Sequence, residues 1–194
     1  CELMRRMASP AGMAHRFRIF LPPGYGENTL KRYPVLYMHD GNNLFLKEEA
    51  FLGNTWRTDE VLGILNRMNA IEQAIVVGVH PNERDREYTQ PGYEDYGSFL
   101  AASLKPLIDA KYRTLPGAEN TAAMGSSLGG VVSFYLGWQW PDVFGKVACL
   151  SSTFTLRDDL IERVASEPRR SIKIYLDSGW PGDNYEPTPC MRDR

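Results

Sequence analysis

The sequence predicts an α/β fold, with a mostly parallel central sheet and helices on both faces. Two observations lead there. Short apolar runs rich in β-branched and aromatic residues alternate with segments of helical spacing along the chain. The polar, glycine-bearing turns fall at the carboxyl ends of those runs, where ligands bind in such sheets. The 194 residues are of the size of one domain, read here as 1–194.

The elements follow in order. FRIFLPPGYG (17–26) reads as a strand closed by Pro-Pro-Gly, because proline removes a ladder donor and glycine permits the turn. YPVLYMHDG (33–41) reads as a strand and its turn. Over 57–69, Val61, Leu62, Leu65 and Met68 share a helical face, with Thr58 or Asp59 as the N-cap. AIVVGVH (74–80) is nearly continuous in apolar residues, as expected of a strand covered on both faces.

After a polar loop, PNERDREYTQPGYED, the residues Tyr96, Phe99, Leu100, Ser103, Leu104, Leu107 and Ile108 recur at helix spacing. TAAMG (121–125) is a strand, 128–139 a helix, and FGKVACLSS (144–152) a strand. A helix over 157–166 ends near Pro168, and SIKIYLDSG (171–179) is the last strand.

Composition narrows the function. Hydrophobic residues are 43% and charged residues 24% of the chain, and the net charge is −2, so there is no basic footprint for nucleic acid or an anionic membrane. No apolar run reaches the roughly 18 residues of a membrane span. The three cysteines, Cys1, Cys149 and Cys190, have no zinc spacing, and no metal or cofactor motif occurs. Cys149 reads as a small buried hydrophobe. The chain begins at Cys1 without a signal-like apolar stretch; trimming or lipid attachment at Cys1 both fit, so no compartment is assigned.

The chemistry concentrates in Gly125-Ser126-Ser127-Leu128-Gly129, which fits G-x-S-x-G with a strand before it and a helix after it. A sharp strand-to-helix turn would strain the backbone of Ser127 and hold its hydroxyl proud of the sheet. The flanking glycines would avoid collisions with neighbouring elements. The helix would aim free N–H groups and its positive end at the same spot. Ser126, without the symmetric glycines, reads as a supporting hydroxyl.

YPVLYMHDGNNLF, VVGVHPNERDREYTQP and GSSLGGVVSFYLGWQWPDVFGKVACLSS, in that order, resemble the putative-esterase family of α/β-hydrolases over about residues 15–185. That family includes esterase D, feruloyl and acetylxylan esterase domains, siderophore esterases and mycolyltransferases. The resemblance implies an α/β-hydrolase fold, a Ser-His-acid triad, no cofactor, and a small-molecule or carbohydrate-linked ester as substrate. By the same resemblance Ser127 is the nucleophile, and the backbone N–H groups of Leu128 and Asn42 are the oxyanion donors. Asp183 matches the acid, with Asp177 and Glu186 as alternatives. His39 and Asp40 belong to the turn that supplies the Asn42 donor, at the pocket, or to a glycine loop that simply reverses the chain. Arg84, Glu87 and Tyr88 match a polar loop near the pocket, or form a solvated loop. Trp180 and Tyr185 flank the acid loop and either line the pocket or pack within it.

The pattern breaks at the base. A serine hydroxyl needs a base of pKa near the working pH, and the family's histidine follows one strand beyond the acid. Only His15, His39 and His80 occur. His15 is expected at the surface, His39 as part of the oxyanion turn, and His80 at the same sheet edge. The expectation is therefore a chain shortened at its C-terminus, lacking the last strand and helix, and self-associating or completed by further residues. Three functions compete: a serine esterase, a non-catalytic esterase-like binding module, and an acyltransferase using the same residues.

Overall fold

The computed structural model describes residues 2–8, 14–179, 185 and 187–192. Among them one seven-stranded sheet carries the architecture. Its strands are β1 (Glu2–Ala8), β2 (Ala14–Phe20), β3 (Val35–Met38), β4 (Ile75–His80), β5 (Thr121–Ser126), β6 (Lys146–Leu150) and β7 (Lys173–Leu176). They lie in the order β1-β2-β4-β3-β5-β6-β7. β1 pairs antiparallel with β2, and β2 antiparallel with β4. From β4 onward every pairing is parallel. The helices are α1 (Thr58–Arg67), α2 (Arg84–Glu87), α3 (Gly92–Phe99), α4 (Lys105–Lys111), α5 (Leu128–Gln139), α6 (Leu160–Ser166) and α7 (Pro187–Arg192).

Side chains of successive strand residues point to opposite faces, and the core divides accordingly. Val35, Tyr37, Ile75, Val77, Val79 and Ala123 join Phe99, Leu104, Ile108, Val131 and Phe134 of the α3–α5 side. Met38, Val76 and Phe20 turn the other way, onto Leu44, Phe45 and Leu62 of α1. Helices therefore cover both faces, and the predicted α/β-hydrolase architecture is the observed one.

Most strands and helices lie within a few residues of their predicted places, and residues 128–139 form α5 as predicted. The departures have physical reasons. β1 is unpredicted because Arg5 and Arg6 break its apolar alternation; it exists through its pairing with β2. The helix predicted through 96–108 runs from Gly92 to Lys111 and widens into a π turn over Leu100–Leu104.

The cap of α1 is neither Thr58 nor Asp59 but Arg57, in a left-handed conformation without a side-chain cap bond. The apolar face expected on α1 is only partly covered: Val61 and Met68 are exposed. His15, expected at the surface, is 1% exposed. It shares the inward register of Phe17 and Ile19 on β2, which is flanked by strands on both sides, and stacks on Phe99 at 4.4 Å between ring centroids.

Candidate active site

The site region forms where β3 and β5, parallel neighbours, both end. Met38 pairs with Met124, and the N–H of His39 donates to the carbonyl of Met124 at 3.0 Å. The chain leaving β3 thus turns beside the chain leaving β5.

On the β5 side, Ser127 stands between the strand and α5 with φ 59° and ψ −123°. This region is one that L-residues rarely adopt, at a cost of about 1–3 kcal/mol. Its N–H donates to the carbonyl of Leu150 on β6 at 3.0 Å, and its carbonyl accepts from the N–H of Gly130 at 3.1 Å. A Cβ on Gly125 would sit 2.5 Å from the carbonyl carbon of Gly129, so strand and helix approach more closely than any side chain permits. At Gly129 a Cβ would lie 3.3 Å from Asp40 Oδ2 and 3.4 Å from the His39 Cβ. The first turn of α5 therefore packs directly on the turn after β3. The leading N–H groups of a helix have no carbonyl of their own helix to bond, and those of Leu128 and Gly129 begin α5 here.

On the β3 side, Asp40 is left-handed at φ 53° and introduces a short helical turn, Gly41–Asn43. A Cβ on Gly41 would lie 2.5 Å from the backbone of Gly78, which ties this turn to β4. The carbonyl of Asp40 accepts from the N–H of Asn43 at 2.8 Å. The carboxylate of Asp40 accepts two hydrogen bonds from Arg84, Nε to Oδ1 at 2.8 Å and Nη2 to Oδ2 at 2.9 Å. The Asp40 bonds raise the Arg84 pKa further.

Behind the turn lies a buried polar cluster. The Asp40 N–H donates to the Tyr88 hydroxyl at 3.0 Å, and His39 Nδ1 and the Tyr96 hydroxyl are 3.0 Å apart. His15 Nε2 and Glu87 Oε1 are 3.2 Å apart, while Glu87 Oε2 accepts from the Asn82 N–H. Burial drives the Tyr88 and Tyr96 hydroxyls well above their ordinary pKa. Burial, and then the charge of Arg84, push His39 down to about 3. His80 is pushed down to about 4 by burial, against the opposing pull of Glu49.

Ser127, Leu128, Asn42, His39, Asp40, Arg84 and Tyr88 are thus brought together at one sheet edge. His39 and Tyr88 are 2% and 0% exposed, so they brace the turn from behind and offer no surface to a pocket. Glu87 is buried too, which rules out a solvated loop at this point. Asp177 accepts from the Ser151 N–H at 2.8 Å and thereby braces the loop after β6. Asp183, Trp180 and Glu186 lie outside the described residues. Sequence reasoning placed Tyr96 only on a helix face. Nothing local marks it as the partner of His39, 57 positions away. No cluster of metal-ligating side chains occurs among the described residues, and no helix there is long and apolar enough to cross a membrane.

The arrangement sets a serine on a strained turn between a strand and a helix, with the first turn of that helix packed on the turn after β3. Residues 10–192 match the family described as Putative esterase, and the chain belongs to that family. Among its relatives, the Uncharacterized protein YjcH of Bacillus subtilis is 30% identical over 166 residues, spanning 83% of this chain and 65% of that protein. An IroE-like serine hydrolase from Shewanella oneidensis superimposes with a TM-score of 0.65 at 25% identity, over 78% of this chain and 50% of that one. The ferric enterobactin esterase of Salmonella typhimurium superimposes with a TM-score of 0.81 at 20% identity, over 98% of this chain and 49% of that one. The chain spans 57% to 65% of the length of the B. subtilis relatives it matches.

Proposed function

We propose that the protein is a serine carboxylic-ester hydrolase in which Ser127 is the nucleophile. The observation that carries this reading is the backbone of Ser127, held at φ 59° between β5 and α5 beside the turn that follows β3. Strain of this kind persists only where the surroundings over-determine it, and it gathers at functional sites. Ser127 Oγ attacks the ester carbonyl carbon while a base takes its proton. The oxyanion is held by the N–H groups of Leu128 and Asn42 at the positive end of α5. Collapse of the tetrahedral intermediate expels the alcohol and leaves an acyl-enzyme, which water then cleaves.

Asp183 is the acid of this reading and orients the base. His15, His39 and His80 are each 2% exposed or less. His39 is engaged by Tyr96, and His15 by Glu87. The base of this reading is a histidine, the side chain whose ordinary pKa lies near the working pH. The substrate is a small-molecule or carbohydrate-linked ester. Feruloyl and enterobactin esters, named for relatives and structural neighbours, are the first to assay.

A second reading, a binding module on an esterase scaffold, is favoured by one observation: His15, His39 and His80 are all buried, and none of them is hydrogen-bonded to Ser127. Hydrolysis of a chromogenic acetyl ester by the protein from its complete reading frame separates the two. The esterase reading expects Ser127→Ala to lower kcat at least a hundredfold. Equal rates for wild type and variant would remove Ser127 from the mechanism.

A further inference from the structure

One loop touches both turns that bear the proposed oxyanion donors. Arg84, at the start of α2, grips the Asp40 carboxylate with two parallel hydrogen bonds of 2.8 and 2.9 Å. The same Nη2 reaches the carbonyl of Ser126 at 3.4 Å. Asp40 lies two residues before Asn42, and Ser126 two residues before Leu128. The Arg84 guanidinium thus bridges the backbone ahead of each donor.

Tyr88, one turn further along and fully buried, accepts the Asp40 N–H at 3.0 Å. Its ring lies 5.5 Å beneath the Arg84 guanidinium. The Tyr88 ring packs on that of Tyr96, 5.3 Å away between centroids, and the Tyr96 hydroxyl meets His39. Asp40 is held in an unfavourable conformation, φ 53°, and its carbonyl closes the turn by accepting from the Asn43 N–H. Whatever fixes Asp40 therefore fixes the direction of the Asn42 N–H.

We propose that Arg84 and Tyr88 are positioning residues, Arg84 setting the separation of the Asn42 and Leu128 N–H donors and Tyr88 holding Asp40 in its left-handed conformation. This rests on the reading of Ser127 as nucleophile and adds to it the device that preorganises its oxyanion hole. Preorganised donors act only if aimed at where the charge develops, and losing one costs about 10²–10³ in kcat. Loosening two donors without deleting either has a smaller effect, about 10- to 100-fold. Arginine is needed for its planar fork, which lysine cannot reproduce.

The test measures kcat and KM for hydrolysis of p-nitrophenyl acetate by the protein from its complete reading frame, well below each variant's Tm. Arg84→Gln is expected to lower kcat about 10- to 100-fold with KM within about threefold of wild type. Arg84→Lys and Tyr88→Phe keep charge or volume and are the variants that preserve folding; each is expected to lower kcat about three- to tenfold. In an Asp40→Asn background, Arg84→Gln is expected to cost much less than alone, since the bridge is already broken. A lowered Tm with unchanged kcat in all three variants would overturn the proposal in favour of a purely structural pair. A raised KM with unchanged kcat would overturn it in favour of substrate binding. If Ser127→Ala retains the wild-type rate, the nucleophile reading itself fails, and that outcome does not depend on Arg84 or Tyr88.

Discussion

The centre of the sheet and its β7 edge are built differently. All six residues of β4 are buried, and close glycine contacts gather around it, at Gly78 on β4 itself, at Gly41 in the turn after β3 and at Gly125 on β5. On β7, Lys173, Ile174 and Tyr175 are exposed and Leu176 is half-buried. Two non-glycine residues of the candidate site, Asp40 and Ser127, hold positive φ, and both sit at the dense centre. The contrast teaches where a strained site can be kept. Close packing removes the alternatives to which the backbone would otherwise relax. The proposed nucleophile and oxyanion donors stand on this rigid ground. The proposed acid, Asp183, follows the more open edge strand.

Substitutions that break the comparison differ in size. Ile75→Ala in β4 removes a fully buried side chain and is expected to cost about 2–5 kcal/mol of unfolding free energy. Ile174→Ala in β7, where the residue is 41% exposed, is expected to cost less than about 1 kcal/mol. Denaturant titration of both variants checks this, and equal losses would show that the edge is as tightly built as the centre. Gly125→Ala sharpens the same point. Its Cβ would meet the Gly129 backbone at 2.5 Å, so overpacking is expected to cost about 1–3 kcal/mol and to lower esterase activity as the turn shifts.

Strain at the centre has a smaller signature of opposite sign. Ser127→Gly relieves the φ of 59° and is expected to raise stability by about 1 kcal/mol while abolishing hydrolysis. Thermal denaturation alongside the ester assay measures both. A destabilised variant would mean that the turn is not strained by its side chain.

The mildest test is pH. The native state holds His39 and His80 at about 3 and about 4, against an ordinary value of 6.5. Between pH 6.5 and 4 the unfolded chain takes up protons at these positions that the native chain refuses, so stability falls as pH falls through that window. Above about pH 7 both states are neutral at these residues and they contribute no slope. His39→Gln is expected to flatten the decline; an unchanged slope would show that His39 is not protected from protonation.

Much of the centre is legible in the sequence because its signals are local. The apolar run over 74–80 needs no partner to be read as a covered strand. The spacing of Gly125, Ser127 and Gly129 gives the turn through sterics alone. The supports are not legible, because each is a long-range meeting. Tyr96 reaches His39 across 57 positions and His15 reaches Glu87 across 72, so neither buried pair has a sequence pattern. Arg84 and Glu87 look alike within NERDREY, yet one grips Asp40 near the surface and the other is buried against His15. β1 was hidden by its arginines, since pairing with β2 and not its own pattern makes it a strand.

The central claim is that Ser127 is an activated nucleophile facing preorganised N–H donors. It is tested most directly by treating the protein from its complete reading frame with a fluorophosphonate and mapping the adduct by mass spectrometry. The account predicts one covalent adduct, on Ser127 and not on Ser126, that is absent from Ser127→Ala. A protein that stays unlabelled, or that is labelled equally after Ser127→Ala, would contradict it.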